Sequence, residues 1–126
     1  MALFLDTSVV IDLLRGADYA LAVVAREPLF ISPITVHEIW FGMRPSELEM
    51  TQTLFEGLTV ASLGKEEASL SGRWRREYAK RGVTLSFQDT LIAAGSLIHT
   101  IPLATGNVKH FPMPELRVEQ WPPPPV

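Results

Sequence analysis

The hydrophobic pattern opens on a compact apolar run, Ala2-Leu3-Phe4-Leu5, that ends at Asp6. A short continuous run of this kind predicts a strand buried on both faces in a parallel sheet. After Asp6 the period changes. Val9, Val10, Leu13 and Leu14 take helical spacing, and Gly16 closes that helix. A second short helix spans Tyr19 to about Arg26, and Leu29-Phe30-Ile31 reads as the second strand. Pro33 and Thr35 open the next helix, with Ile34, Ile39 and Met43 as its buried positions. Arg44-Pro45 stops it, because a residue before proline is pushed out of helical geometry. Ser46 to Glu49 fits a capping box for a helix reaching Glu56-Gly57. Leu58 to Ala61 reads as the third strand.

The second half repeats the alternation. Leu70, Trp74 and Tyr78 form an apolar stripe on a helix from Glu66 to Arg81, which has acids at its start, bases at its end and Gly82 as its stop. Ser86 caps a further helix to about His99, with Phe87, Leu91, Ala94 and Ile98 on one face. Ile101 to Ala104 and Leu116 to Val118 read as the fourth and fifth strands. Strands alternating with helices predict an α/β fold, a parallel sheet covered on both faces. Residues 1–121 are expected to form one domain. Residues 122–126, a run of four prolines and a valine, are expected to form a proline-rich tail, extended or frayed.

Composition narrows the function. The 126 residues suit one core, and 47% hydrophobic content argues against disorder. Cysteine is absent, which excludes disulfides, zinc thiolates and a thiol nucleophile, and matches a reducing cytoplasm. No apolar run approaches the roughly 20 residues of a membrane helix. No basic stretch precedes an apolar one at the start, so no signal peptide and a cytoplasmic location are expected. A net charge of −3 means that any nucleic-acid contact needs a local basic patch. Arg73, Arg76 and Lys80 share one helix face and are candidates for a nucleic-acid phosphate track, although a solvated face reads the same way. Arg44 and Lys109 are weaker candidates.

Three carboxylates carry the chemistry: Asp6, Glu38 and Asp89. Each also fits a helix cap. Asp6 suits a plain N-cap, and Thr35 to Glu38 and Ser86 to Asp89 suit capping boxes. Taken together they point elsewhere. In an α/β layer fold helix N-termini lie at the carboxyl edge of the sheet, where ligands bind, so all three acids share that edge. If strands one and four are neighbours, the acids meet in one crevice. Carboxylates that converge without lysines repel one another, and a divalent cation relieves this; hard oxygen donors favour Mg²⁺ or Mn²⁺. Such a site with no Gly-rich phosphate loop fits phosphodiester hydrolysis.

At this point the chain resembles the PIN-domain ribonucleases, in particular the VapC toxins of toxin–antitoxin pairs. The resemblance runs from Leu3 to Trp121. It is carried by Leu5-Asp6-Thr7-Ser8, by Glu38 with Ile39 and Gly42, by Asp89 to Ala94, and by Leu103 to Phe111. It implies an α/β/α fold with strand order 3-2-1-4-5 and Mg²⁺-dependent endonucleolytic cleavage of RNA. Asp6, Asp89 and Glu38 match the family's acids; Thr7 or Ser8, and Thr105, match hydroxyls that hold the acids or a metal-bound water. A fourth acid common in the family is replaced by Asn107 and His110. Asn107 can hold a metal through water but brings no charge, so weaker binding of a second metal is expected. His110 is expected to pack or sit at the surface, with a minor reading as a substrate contact or acid.

Ile39, Trp40, Phe41 and Met43 put more large apolar groups into one turn than one core-facing stripe uses, so some face outward or into a partner. The resemblance offers a homodimer partner, a VapB-like antitoxin segment lying in a groove between helices, and a larger hetero-oligomer of both. The rival reading is a catalytically weak PIN-fold binding module acting in an antitoxin-bound, DNA-binding regulatory complex. A nuclease acting on DNA or a flap structure is a second rival, against which the short chain without inserted arches argues.

Overall fold

The structure, a computed structural model, describes residues 1–125. Strands β1 (Leu3–Leu5), β2 (Leu29–Ile31), β3 (Thr59–Val60), β4 (Leu103–Thr105) and β5 (Val118–Gln120) form one parallel sheet in the order β3-β2-β1-β4-β5. This is the expected order. β1 lies at the centre, flanked by β2 and β4, with Leu5 in register with Ile31 on one side and Ala104 on the other. Leu3, Phe4 and Leu5 are all fully buried. Their continuous apolarity follows from helices covering both faces.

Phe4 faces the layer made by α5 (Lys65–Lys80) and α6 (Phe87–Ile98), among Trp74, Tyr78, Ile92 and Ala93. Leu3 and Leu5 face the other layer, among Val9, Val10 and Val23 of α1 (Thr7–Leu14) and α2 (Ala20–Val24) and Ile39 of α3 (Pro33–Gly42). α6 is buried almost all round from Thr90 to Ser96, because it lies between the sheet and α5. It approaches the sheet tightly at Gly95, where an added Cβ would stand 2.7 Å from Phe4 Cζ. The Phe4 ring is fully buried and has no room to retreat. Gly95→Ala is therefore expected to cost about 1–3 kcal/mol, the range for overpacking a tight core. A urea midpoint equal to that of the unsubstituted protein would show that α6 sits more loosely than this.

Several boundaries differ from the sequence reading, each for a local reason. The helix after β2 is capped by Ser32, whose Oγ accepts from the Ile34 N–H at 3.1 Å, with Pro33 in its first turn. Thr35 is inside the helix and fully buried, so the expected Thr35–Glu38 capping box does not form. The Ser46–Glu49 box is likewise displaced. Pro45 starts a 3₁₀ turn over Pro45–Glu47, and the Glu47 carboxylate accepts from the Arg44 N–H at 2.9 Å before α4 (Leu48–Glu56) begins. Phe87 is 53% exposed rather than on the apolar face of α6. β5 starts two residues later than expected. The Leu116 N–H is used in a turn to the Met113 carbonyl, and pairing begins where the Leu103 N–H donates to the Arg117 carbonyl.

The far end of β5 is clamped. Arg26 forms two 2.8 Å bonds to the two carboxylate oxygens of Glu119, and these bonds hold the Glu119 carboxyl below its ordinary pKa. Trp121 is buried against Tyr19, while Pro122 to Pro125 are exposed and outside any helix or strand; Val126, the last residue of the expected tail, lies outside the described residues. Among the described residues no helix is long and apolar enough to cross a membrane.

Candidate metal centre at the carboxyl edge of the sheet

Asp6 is the first residue after β1 and is 4% exposed. It stands at the N-cap of α1, and its backbone carbonyl accepts from Val9 and Val10, yet its side chain caps nothing. Its Oδ2 instead accepts from Ser8 Oγ at 2.9 Å and from Thr105 Oγ1 at 2.8 Å. Each hydroxyl is itself fixed by a backbone donor: the Gly106 N–H donates to Ser8 Oγ at 3.1 Å, and the Asn107 N–H to Thr105 Oγ1 at 2.9 Å. The loop after β4 thus orients two hydroxyls, and the hydroxyls orient one buried carboxylate. No Lys or Arg forms an ion pair with Asp6 among the described residues. A buried carboxylate held only by neutral donors is costly unless a cation completes it.

Asp89 sits in the first turn of α6, whose N-cap is Ser86; Ser86 Oγ accepts from the Asp89 N–H at 3.0 Å. Here the cap is real, but the backbone N–H of Asp89 uses it and the carboxylate remains available. The Asp89 carboxyl titrates above its ordinary range. Burial is the main cause; a hydrogen bond with Ser86 works against it, the Asp6 charge adds to the rise, and His110 opposes it. Asp6 and Asp89 are thus close enough to repel, as they should be at the ends of neighbouring elements around β1 and β4.

Glu38, on α3, is half-buried and turned to a different partner. Thr7 Oγ1 donates to its Oε1 at 2.7 Å. With that proton spent, Thr35 Oγ1 is the donor in the 3.1 Å contact with Thr7 Oγ1. Thr35 is therefore a positioning residue rather than part of a cap, and a hydroxyl one helical turn before an acid is the only sign of it in the sequence. Among the described residues no three His, Cys, Asp or Glu side chains stand together at metal-ligand spacing. The arrangement is an Asp6–Asp89 pair, with Glu38 tethered beside Asp6 through Thr7.

The donor set fits a small hard cation. Mg²⁺ keeps several waters and is commonly held by one or two carboxylates rather than by a full protein cage. The two aspartates supply oxygen donors and net negative charge.

The remaining candidates fall into three places. Asn107 lies on the exposed loop beside Thr105, its carboxamide free of hydrogen bonds to described residues. His110 is exposed, as expected, and its Nδ1 stands 3.4 Å from Asp89 Oδ2. The basic face of α5 is spread out. Arg73 lines a hollow with Ile98, at the end of α6 opposite Asp89, about 13 Å along the helix axis. Lys80, at the other end of α5, pairs with Glu77 at 3.5 Å, and Arg76 is exposed between them. Of the crowded apolar turn on α3, Ile39 is buried and Trp40 lies edge-on to Phe55. Phe41 is 87% exposed and stacks on His37.

Residues 3–112 match the family model described as the PIN domain. Ribonuclease VapC19 of Mycobacterium tuberculosis is 31% identical over 119 residues, covering 90% of this chain and 95% of that protein. Ribonuclease VapC of Rickettsia bellii is 30% identical, covering 94% of this chain and 95% of its own length. Among solved structures, the toxin–antitoxin complex from Klebsiella pneumoniae holds a chain 28% identical with a TM-score of 0.73, covering 94% of this chain and 96% of that one. A chain of the VapBC2 complex from Rickettsia felis has the same fold at a TM-score of 0.84 with 20% identity, covering 96% of this chain and 99% of that one.

Proposed function

This chain belongs to the PIN-domain family, and from that premise we propose that it is a divalent-cation-dependent endoribonuclease, the toxin of a toxin–antitoxin pair. The observation that carries the reading is Asp6: a buried carboxylate kept out of its own helix cap, oriented by Ser8 and Thr105, and set beside Asp89, with no Lys or Arg in ion-pair contact with either acid among the described residues. The relatives that match most of the chain are ribonucleases by name, and a chain of the Klebsiella toxin–antitoxin complex matches it over nearly its full length.

Asp6 and Asp89 would hold the cation, Mg²⁺ or Mn²⁺, with Glu38 and Asn107 reaching it through water. When bound, the cation lowers the pKa of the attacking water and offsets charge on the phosphodiester. Thr7 fixes the Glu38 carboxylate and Thr105 the Asp6 carboxylate, so neither has to reorganise as charge develops. His110 lies beside Asp89, on the exposed loop after β4. The antitoxin surface that suits the reading is the groove where α1, α3 and α4 meet. There a hollow lined by Ile11, Leu14, Ile39 and Met43 reaches Glu38, and Leu14 joins it to an apolar trough with Leu13, Met50 and Leu54. A partner segment lying there would cover Glu38 and part of the exposed apolar surface at once.

A second reading, a binding module acting in a DNA-binding complex with the antitoxin, draws on one observation: two acids, not three, stand together. Incubating total RNA with purified, partner-free protein separates the two. Discrete fragments formed with Mg²⁺ or Mn²⁺, lost with EDTA and lost in Asp6→Asn, are expected. Folded protein that neither cleaves nor binds Mn²⁺ would leave the binding module.

A further inference from the structure

Beside the two aspartates, the loop after β4 and the last residue of β5 enclose a cleft of ≈ 320 Å³ lined by Gly106, Asn107, Val108, Lys109, His110 and Gln120. Resting on the ribonuclease reading, we propose that this cleft is a nucleoside subsite: it takes one unpaired base of a single-stranded RNA next to the bond that is cut, and Gln120 reads the edge of that base.

The first support is position. Gln120 is the register partner of Thr105, the residue whose hydroxyl holds Asp6. His110, on the loop, is 3.4 Å from Asp89. The cleft therefore adjoins both members of the acid pair, which is where the nucleotide flanking a bound phosphodiester would lie.

The second is construction. A Cβ at Gly106 would stand 3.2 Å from the Trp121 carbonyl oxygen, so the absence of a side chain lets the loop lie against the end of β5. Three bonds then set the loop: Gly106 N–H to Ser8 Oγ, Asn107 N–H to Thr105 Oγ1, and His110 N–H to the Asn107 carbonyl at 2.9 Å. The cleft is preorganised by the same hydroxyls that orient Asp6, so base and phosphate would be placed by one framework.

The third is chemistry. The carboxamides of Gln120 and Asn107 make no hydrogen bonds to described residues, and Lys109 has no carboxylate within ion-pair distance among them. A carboxamide presents a donor and an acceptor side by side, the pattern that matches a base edge. Val108 is 40% exposed and offers apolar surface to the face of a base, and Lys109 offers a cation to a flanking phosphate. A base can enter such a cleft only when unstacked and unpaired, which selects loops and single strands.

Two measurements test this. Sequencing the ends of fragments made from total RNA should show that Gln120→Ala keeps metal-dependent cleavage but relaxes the preference at one position next to the cut by about ten-fold. Lys109→Ala should raise KM evenly for all sites. Separately, short RNA carrying 4-thiouridine, photo-crosslinked to Asp6→Asn, should attach to residues 106–110 or 120. An active enzyme whose cleavage sites are unchanged by Gln120→Ala, or crosslinks confined to other surfaces, would overturn the subsite. Crosslinks at the cleft when the unsubstituted protein never cleaves RNA would overturn the nuclease reading and the subsite's place beside a cut bond, leaving only a base-binding cleft.

Discussion

Asp89→Asn is expected to lower metal-dependent RNA cleavage by more than about a hundred-fold while raising, not lowering, the melting temperature of the metal-free protein. The loss should exceed the 10- to 100-fold typical of residues that merely support a metal ligand, because Asp89 would be the ligand itself. The stability sign follows from its titration. The folded state holds the Asp89 carboxyl above its ordinary pKa, mainly through burial and with the Asp6 charge adding to it. Between the unfolded and folded pKa values the folded state binds more protons, so its stability falls as pH rises through that window. At neutral pH the ionised Asp89 is a net burden on the metal-free fold, which an uncharged amide removes. The gap between the two proteins should close on acidification below the ordinary carboxylate range. Added Mg²⁺ should then stabilise the unsubstituted protein and leave the variant unmoved. Thermal melts in EDTA and in Mg²⁺ check both signs; an Asp89→Asn protein that melts lower in EDTA would make Asp89 a structural cap rather than a ligand.

Thr105→Val should damage the fold and the site together. The Thr105 side chain is fully buried, donates to Asp6 Oδ2 at 2.8 Å and accepts from the Asn107 N–H at 2.9 Å. Valine preserves its shape and removes both bonds. A buried carboxylate loses one of its two donors and the Asn107 N–H loses its acceptor, which is expected to cost roughly 1–3 kcal/mol. Cleavage should fall by roughly 10- to 100-fold, because Asp6 is no longer oriented. Thr105→Ser keeps the hydroxyl and should recover most of both losses. Urea denaturation and cleavage of one RNA, run on all three proteins, decide it. A valine variant as stable and as active as the unsubstituted protein would show that Ser8 alone suffices to hold Asp6.

How much of this was legible beforehand differs between fold and site. The run ending at Asp6 announced a strand buried on both faces, because only an interior strand of a parallel sheet tolerates apolar residues without alternation. The helices were legible from their period, and their ends were less so. At Glu38 and Asp89 the sequence offers a hydroxyl three residues before an acid, which is the pattern of a capping box and equally that of two residues on one helix face. Nothing local distinguishes them. Asp89 does stand beside a true cap, whereas Glu38 does not, because Ser32 and Pro33 already start that helix. His110 is at the surface as its sequence context suggests, but its place beside Asp89 is not legible in the chain, because only the passage through β4 brings the two together.

The sequence by itself determined that this is an α/β chain whose three acids lie at one edge of a parallel sheet, because alternating periods impose the layers and helix N-termini must follow strand ends. It also determined the family resemblance. Only the tertiary structure decided which acids meet. Asp6 and Asp89 converge because β1 and β4 are adjacent, while Glu38 is drawn to Thr7 by a bond between residues 31 apart. The structure alone made the cleft beneath Gln120, since β5 pairs with β4 in a register that sets Gln120 beside Thr105. Register and side-chain direction are settled by packing across the sheet, between residues that no local pattern connects.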